Sequence, residues 1–191
     1  MELVPADLLK AFFVLFVAMD VPGNIPLFIT LTSRMEHQQR KKSIKVAVFL
    51  ASILLLLFLF LGNQILKVFN IQIDDFKIAG GIILAIIGIK VVLGLRLSEK
   101  RAEKYELAVV PMATPLVTGP AVITTVIILV DQYGLIVALI SACINLLIAW
   151  FVLNKTDIFF KFLGRQGSDV LSRIFGLILV AMAIGFIRGG L

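Results

Sequence analysis

Six long apolar stretches make up most of the chain, and short polar segments separate them. Apolar and polar residues do not alternate within a stretch, as in Ser52–Leu61, where every residue after the serine is apolar. A transmembrane β-strand needs that alternation, whereas a transmembrane helix needs about 20 mainly apolar residues. The pattern predicts an all-α, polytopic membrane protein with six transmembrane helices near Leu8–Leu31, Ile44–Leu66, Phe76–Leu95, Leu107–Val130, Leu135–Leu153 and Val170–Ile187.

The composition agrees with a lipid bilayer as the surroundings of the chain. Of the 191 residues, 60% are hydrophobic and 16% are charged, and the mean hydropathy is +1.08. A soluble domain of this size could not bury so much apolar surface. We expect a single transmembrane domain over residues 1–191, in which the first apolar run is a span because it lacks a signal-peptide cleavage site.

The lysine and arginine residues predict the orientation in the membrane. If the spans alternate, thirteen of these residues fall on the side of the first loop, four fall on the opposite side, and Lys90 lies within the third span. Short loops rich in Lys and Arg stay in the cytoplasm, so both termini are predicted to lie outside. Because the basic residues form short blocks between apolar stretches, the net charge of +6 does not indicate a nucleic-acid partner.

The two halves of the chain match weakly at a shift of about half its length. Pro22 aligns with Pro115, and Gly80 aligns with Gly176. Since each half would hold three spans, an odd number, the second copy would enter the membrane from the opposite side. We therefore predict two inverted three-helix repeats, at about 1–95 and 96–191. Chance matching between helices rich in Gly, Ala and Ile is the alternative.

Two of the predicted spans are interrupted by proline, glycine and small polar residues. Residues 20–26 read DVPGNIP in the first span, residues 111–120 read PMATPLVTGP in the fourth, and together they hold five of the six prolines. Proline removes a backbone donor and obstructs the preceding turn, so we expect both helices to break. In a bilayer such breaks are tolerated only inside protein or against a water-filled cavity. Kinks that serve packing alone are the alternative.

Broken helices supply the chemistry that a zwitterionic amino acid needs, because half-helices present free N–H groups to anions and free carbonyls to cations. Asn145, in the fifth span, could line such a cavity or join two helices by hydrogen bonding. The residues expected to bind substrate or ion are Asp20, Pro22, Gly23, Asn24, Pro26, Thr114, Pro115, Thr118, Gly119, Pro120, Thr124 and Asn145.

Asp20 is the one acidic residue well inside a predicted span, and burying it without compensation costs several kcal/mol. Three roles stay open for it: it could bind a coupling proton or a sodium ion, orient a substrate ammonium group, or cap the half-helix that begins at Pro22. Glycines in the third and sixth spans are spaced for close approach between helices, and they are Gly80, Gly81, Gly88, Gly176 and Gly185.

The residue types argue against an enzyme. His37, the only histidine, lies in the first basic loop, so a Ser–His pair or a histidine metal site within the bilayer is not expected. Asp20 has no second acid at comparable depth for an aspartyl dyad. Cys143 is a lone cysteine, which excludes a disulfide framework. We expect no cofactor and no metal centre, apart from a coupling ion, a proton or sodium, near Asp20.

At these motifs the chain resembles the MarC family of small prokaryotic membrane proteins, also described as six-helix neutral amino acid transporters. The chain departs from the family pattern at Val21, where proline is usual, and at Ala121, where glycine is usual. The residues that carry the resemblance are Asp20, Gly23, Asn24, Pro26, Phe28, the run Phe76–Gly81, Pro111, Ala113, Pro115, Leu116, Gly119 and Pro120.

The resemblance implies a multi-pass protein of the prokaryotic cell membrane that moves small neutral amino acids, such as glycine or alanine, in step with a proton or sodium gradient. We expect alternating access, in which the two halves move about a site between the broken spans. The alternatives are a non-transporting membrane scaffold or regulatory subunit, or an exporter of another small solute. The expected partners are the amino acid and the lipid bilayer, and a homo-oligomer is left open.

Overall fold

A computed structural model of the chain describes residues 5–32, 35–95 and 118–191, apart from the side chains of residues 26, 27, 30 and 31. Within these ranges the secondary structure is helical, without a strand, which confirms the all-α class. The helices are α1 Pro5–Met19, α2 Val21–Thr32, α3 His37–Val68, α4 Ile73–Val92, α5 Pro120–Tyr133, α6 Leu135–Asn154 and α7 Thr156–Gly189.

Four helical segments of the described part are long and apolar enough to cross a membrane by length and composition. They are Pro5–Ile25, His37–Val68, Leu135–Asn154 and Thr156–Gly189. The predicted third span is a helix too, but α4 begins with charged residues. The part of the predicted fourth span before residue 118 lies outside the described residues, so the count of six spans stays a prediction.

Large apolar side chains cover the outer faces of α3, α4 and α7. Soluble monomers rarely expose so large a contiguous apolar surface, whereas lipid tails can cover it. The inner faces carry smaller residues that pack closely, such as Ala47 and Ala51 of α3 and Ala183 of α7. The exposed apolar residues of the three helices include Phe49, Ile53, Leu57, Phe60, Leu61, Ile82, Ile83, Ile86, Ile89, Ile174, Leu177, Ile178 and Ile184.

Two helices are longer than the sequence predicts. α3 starts at His37 and has 32 residues, and α7 starts at Thr156 and has 34 residues. At the helical rise α3 is about 48 Å long, whereas the hydrocarbon core of a bilayer is about 30 Å thick. We therefore expect the first turns of α3 to continue beyond the bilayer, on the side predicted to be cytoplasmic. α7 bends at Gly164, whose φ of 66° favours glycine.

Helices α4 and α7 run antiparallel and pack backbone to backbone through glycines. A Cβ atom on Gly81 would lie 2.7 Å from the carbonyl oxygen of Ala183, and one on Gly88 would lie 2.8 Å from that of Gly176. The predicted close approach therefore occurs at these positions. It does not occur at Gly185, where a Cβ atom would meet no described atom within 4 Å.

Some of the contacts between helices match when the two halves of the chain are compared, whereas the contact of α5 with α6 has no counterpart of similar extent between α1 or α2 and α3. The contact of α1 with α6 corresponds to that of α5 with α3, and the contact of α2 with α7 corresponds to that of α5 with α4. A contact between two corresponding helices maps onto itself, and three contacts are of this kind: α1 with α5, α3 with α6, and α4 with α7. Two copies related by a twofold axis would give the matching contacts but not the unmatched one, and the repeat itself stays a prediction.

Candidate functional site

The first break consists of one residue, Asp20, between α1 and α2. Its φ is 41°, in the left-handed region. Its backbone N–H donates to the carbonyl oxygen of Phe16 at 3.2 Å, and its own carbonyl accepts from the N–H of Asn24 at 3.1 Å. The helical hydrogen bonds thus stop and restart around this residue, and α2 begins at Val21 rather than at Pro22.

The prolines of this segment lie inside α2 rather than at the break. Pro22 is in the first turn of the helix, where a missing N–H is tolerated because no intrahelical acceptor is available for it. Pro26 also lies within α2, and its side chain is outside the described part. The expected break in this segment is therefore confirmed, and it falls at Asp20, in the turn that precedes Pro22.

The carboxylate of Asp20 lies over the first turn of α2. A Cβ atom on Gly23 would be 2.4 Å from Oδ2 and 2.6 Å from Oδ1, and the backbone N–H of Gly23 faces the carboxylate. This is the position of an N-terminal cap, one of the three predicted roles. The neighbouring amide of Asn24 donates from Nδ2 to the carbonyl oxygen of Met19 at 3.3 Å, which satisfies a carbonyl freed by the break.

The second segment ends where α5 begins. Pro120 is the first residue of α5, a favoured place for proline, and Gly119 is its N-cap. The carbonyl of Gly119 accepts from the N–H groups of Val122 and Ile123 at 3.0 and 3.1 Å. Thr118 is fully buried and donates from Oγ1 to the carbonyl of Ala51 at 3.1 Å, which fixes the start of α5 to α3.

A cavity of about 120 Å³ joins these two segments. Asp20 and Asn24 line it from the first break, and Gly119 and Pro120 line it from the second. The last turn of α1 and the first turn of α5 complete these two walls, while α4 and α7 supply mainly apolar walls. The structure thus brings four of the predicted site residues to one space, and their binding role stays a prediction.

Other predicted site residues have structural positions away from the cavity lining. Thr124 packs against α4, where a Cβ atom on Gly80 would lie 2.3 Å from its Cγ2. Asn145 donates from Nδ2 to the carbonyls of Phe12 at 3.2 Å and Ser141 at 2.9 Å, so it joins α6 to α1. Of the two roles left open for Asn145, the geometry favours the joining of helices.

The remaining predicted residues fall into two groups. Pro22 and Gly23 form the first turn of α2 next to the cavity, without being among its lining residues. Thr114 and Pro115 lie outside the described residues. Lys90, which is exposed, forms no ion pair with Asp20 in the described part of the chain.

Ser172 and Gly176 of α7 belong to the site, although the sequence pattern did not predict them as site residues. Ser172 donates from Oγ to Oδ2 of Asp20 at 3.0 Å. Gly176 lines the cavity and was predicted only as a packing residue. A serine on a helix carries no signal of its partner, because the contact joins residues 152 positions apart. The weak repeat could not have found it either, because it aligns Ser172 with Phe76.

Comparison with known proteins identifies close relatives in sequence. The family model described as MarC family integral membrane protein matches residues 6–191. A UPF0056 membrane protein of Archaeoglobus fulgidus is 34% identical over 192 residues, which cover 95% of this chain and 90% of that protein. The UPF0056 membrane protein YhcE of Escherichia coli is 34% identical over 195 residues, covering 95% and 90%. No solved structure matches the chain.

Proposed function

Because the chain belongs to the MarC family of integral membrane proteins, we propose that it is a secondary transporter of small neutral amino acids, such as glycine or alanine. It acts in the cell membrane of a prokaryote and takes its solute from the cavity between the two interrupted segments. The relatives come from bacteria and from an archaeon, which supports a location in a prokaryotic cell membrane, while their names specify no substrate.

The observation that carries the proposal is the pairing of opposite helix ends across one cavity. The last turn of α1, Val17–Met19, lies in its wall together with Asp20, and so does the first turn of α5, Gly119–Val122. The end of a helix carries partial negative charge, whereas its start carries partial positive charge. A zwitterion can place its ammonium group at the first wall and its carboxylate at the second.

The size and the lining of the cavity favour a small neutral solute. Its volume of about 120 Å³ is well below the roughly 300–1,000 Å³ of pockets that take drug-sized ligands. Apolar side chains such as Ile87, Val122 and Phe175 form the space between the two helix ends. A charged side chain on the solute would lose its hydration there without gaining a partner, so glycine and alanine fit better than lysine or glutamate.

Alternating access fits the way in which the two halves are joined. Lys77 Nζ lies 3.0 Å from Asp131 Oδ2 and connects α4 to α5. At the other end, Arg40 Nη1 lies 2.9 Å from Asp157 Oδ1 and connects α3 to α7. Each ion pair joins a helix of the first half to a helix of the second. A rocking motion about the cavity could therefore open one pair while the other stays closed.

The test is a stability screen of the detergent-purified protein against the twenty amino acids. A ligand at one hundred times its dissociation constant stabilises the folded state by about 2.7 kcal/mol, so glycine or alanine should raise the unfolding temperature while lysine and glutamate should not. Gly119→Leu should lose the shift, because residue 119 lies in the cavity wall. Gly185→Leu should keep it, because residue 185 faces open space.

The two alternatives give different results in the same screen. A scaffold or regulatory subunit predicts no shift with any solute, and that result would contradict the proposal. An exporter of another small solute predicts shifts with a different class of compound and none with glycine or alanine. A shift with lysine as large as that with alanine would contradict the zwitterion site with apolar walls.

A further inference from the structure

The contact between Ser172 and Asp20 depends on the missing side chain of Gly23. Ser172 Oγ lies 3.0 Å from Asp20 Oδ2, and a Cβ atom on Gly23 would lie only 1.6 Å from that Oγ. Any other residue at position 23 would displace the serine. The first turn of α2 therefore has a gap that admits a hydroxyl group from α7, at a place where the two halves of the chain meet beside the cavity.

The carboxylate of Asp20 has few partners beyond this serine. Oδ1 is buried and accepts no hydrogen bond of normal geometry from the described residues. No described Lys or Arg side chain lies within ion-pair distance of either oxygen. An ionised carboxylate that is removed from water without a cation is costly, so a positive charge must compensate it for part of the transport cycle.

Charged groups on the packed helices do not supply that compensation. Arg173 follows Ser172 on α7, but its Nη2 atom reaches towards Gly94, at the end of α4. Lys90 of α4 is exposed. Asp169 of α7 lies one turn before Arg173, but it is an acid, which cannot compensate a carboxylate, and it has a partner of its own. No further Lys, Arg, Asp or Glu lies near the break in the described parts of α1 beyond Lys10, of α2 or of α6.

We propose that Asp20 and Ser172 together form the site of the coupling ion, and that this ion is a proton. The inference rests on the proposed transport function. A hydroxyl group can donate to an ionised carboxylate and can accept from a protonated one, so Ser172 provides a partner for Asp20 in both states. The proton binds to Oδ2 from water on one side of the membrane, and the same O–H bond breaks when it is released to water on the other side.

Sodium suits the described site less well than a proton. A metal cation of this kind needs several oxygen ligands at once, as calcium and magnesium do. Among the side chains that line the described cavity, only Asp20 and Asn24 carry oxygen atoms, and Ser172 adds one more beside them. The backbone carbonyl oxygens of Met19 and Asp20 at the break already accept hydrogen bonds from Asn24. A proton needs a single acceptor and no coordination sphere, which matches what these residues supply.

Ser172 is a positioning residue in this account, since it acts on the proton through Asp20. The experiment uses the full-length protein in proteoliposomes and compares two measurements with labelled glycine. Counterflow without an ion gradient tests the proposed function, and accumulation driven by a pH gradient or a sodium gradient tests the ion. We expect a pH gradient, acid outside for symport or acid inside for antiport, to drive accumulation, and a sodium gradient to have no effect.

Variants separate the role of the serine from general stability. Loss of one charge-assisted hydrogen bond corresponds to about tenfold in an equilibrium, so Ser172→Ala should lower the ratio of pH-driven accumulation to counterflow about tenfold. Ser172→Thr keeps the hydroxyl and should restore most of that ratio. Ser168→Ala is the matched control, because Ser168 is buried on the same helix and its hydroxyl has no hydrogen bond within the described residues.

The outcomes distinguish the two proposals. No counterflow in the unaltered protein would overturn the proposed function and this inference with it. Normal counterflow together with accumulation that a sodium gradient drives and a pH gradient does not would overturn the proton assignment alone. A Ser172→Ala ratio equal to that of Ser168→Ala would overturn the role of Ser172, whereas the expected loss with rescue by threonine supports it.

Discussion

The carbonyl oxygen of Gly176 lies only 2.8 Å from the point at which a Cβ atom would stand on Gly88. Antiparallel helices α4 and α7 approach this closely because neither has a side chain at the contact. Without a hydrophobic driving force in lipid, such close packing is a main source of association between helices. Gly176 also lines the cavity, so the same contact stabilises the fold and shapes the candidate site.

Replacing Gly88 with leucine should therefore destabilise the protein. The new side chain has to push α7 away from α4, and overpacking of this kind costs about 1–3 kcal/mol. Unfolding of the purified protein in detergent measures the effect. Gly185→Leu makes the same change at a position with no described atom within 4 Å of a Cβ, and equal stability of the two variants would contradict the packing account.

Arg40 should hold α2 in place from the side predicted to be cytoplasmic. Its guanidinium carbon lies 5.3 Å from the centre of the Phe28 ring, and its Nη1 atom donates to Asp157 at 2.9 Å. Arg40→Lys keeps the charge but loses the planar group that stacks on the ring, a loss of about 1 kcal/mol. Amide hydrogen exchange in residues 21–32 should then become about fivefold faster.

The control for this prediction is Lys42→Gln, two residues away at an exposed position of α3. It removes a charge without touching Phe28 or Asp157. Unchanged exchange in Arg40→Lys, or equal acceleration in Lys42→Gln, would show that the guanidinium does not hold α2.

Cysteine labelling tests the predicted orientation of the chain. Cys143→Ser provides a background without thiols, because Cys143 is the only cysteine. Lys10 and Lys42 are both exposed and are predicted on opposite sides of the membrane. In intact cells a membrane-impermeant maleimide should label Lys10→Cys and not Lys42→Cys, and the reverse pattern would show that both termini face the cytoplasm.

Gly23→Ala should reproduce the defect of Ser172→Ala. The added methyl group would occupy the position of Ser172 Oγ and come within 2.6 Å of both carboxylate oxygens of Asp20. We expect the same drop, about tenfold, in the ratio of pH-driven accumulation to glycine counterflow. Gly167→Ala is the control, because a Cβ atom at this position of α7 meets only ordinary contacts at 3.4 Å or more, and it should keep the ratio. An unaffected ratio in Gly23→Ala would contradict the claim that the missing side chain of Gly23 makes room for Ser172.

The sequence was informative about the fold class and about where the helices are interrupted. Apolar stretches of span length have few other interpretations, and proline-rich segments inside them rarely continue as regular helix. The position of the first break was less predictable. Pro22 is tolerated in the first turn of a helix, so the interruption falls on Asp20, whose left-handed backbone a sequence pattern does not reveal.

Contacts between distant parts of the chain explain the rest of the differences. Thr124 and Asn145 resemble cavity residues by type, yet their neighbours turn them into packing and helix-joining residues. Ser172 looks like an ordinary helical serine in the sequence, because its contact with Asp20 forms only when the first break packs against α7. The helical residues of α7 before the kink at Gly164 were not predicted as part of a span because the charged residues at 161 and 165 interrupt the apolar run.

Counterflow of labelled glycine or alanine in proteoliposomes is the most direct test of a transport site between the two interrupted segments. Vesicles loaded with unlabelled amino acid should take up the labelled one transiently, and Gly119→Leu and Asp20→Asn should each reduce that uptake strongly while Gly185→Leu does not. Unlabelled lysine inside the vesicles should fail to support it. Vesicles that show no more uptake than protein-free liposomes, or equal uptake in Gly119→Leu and the unaltered protein, would contradict a transport site between the two segments.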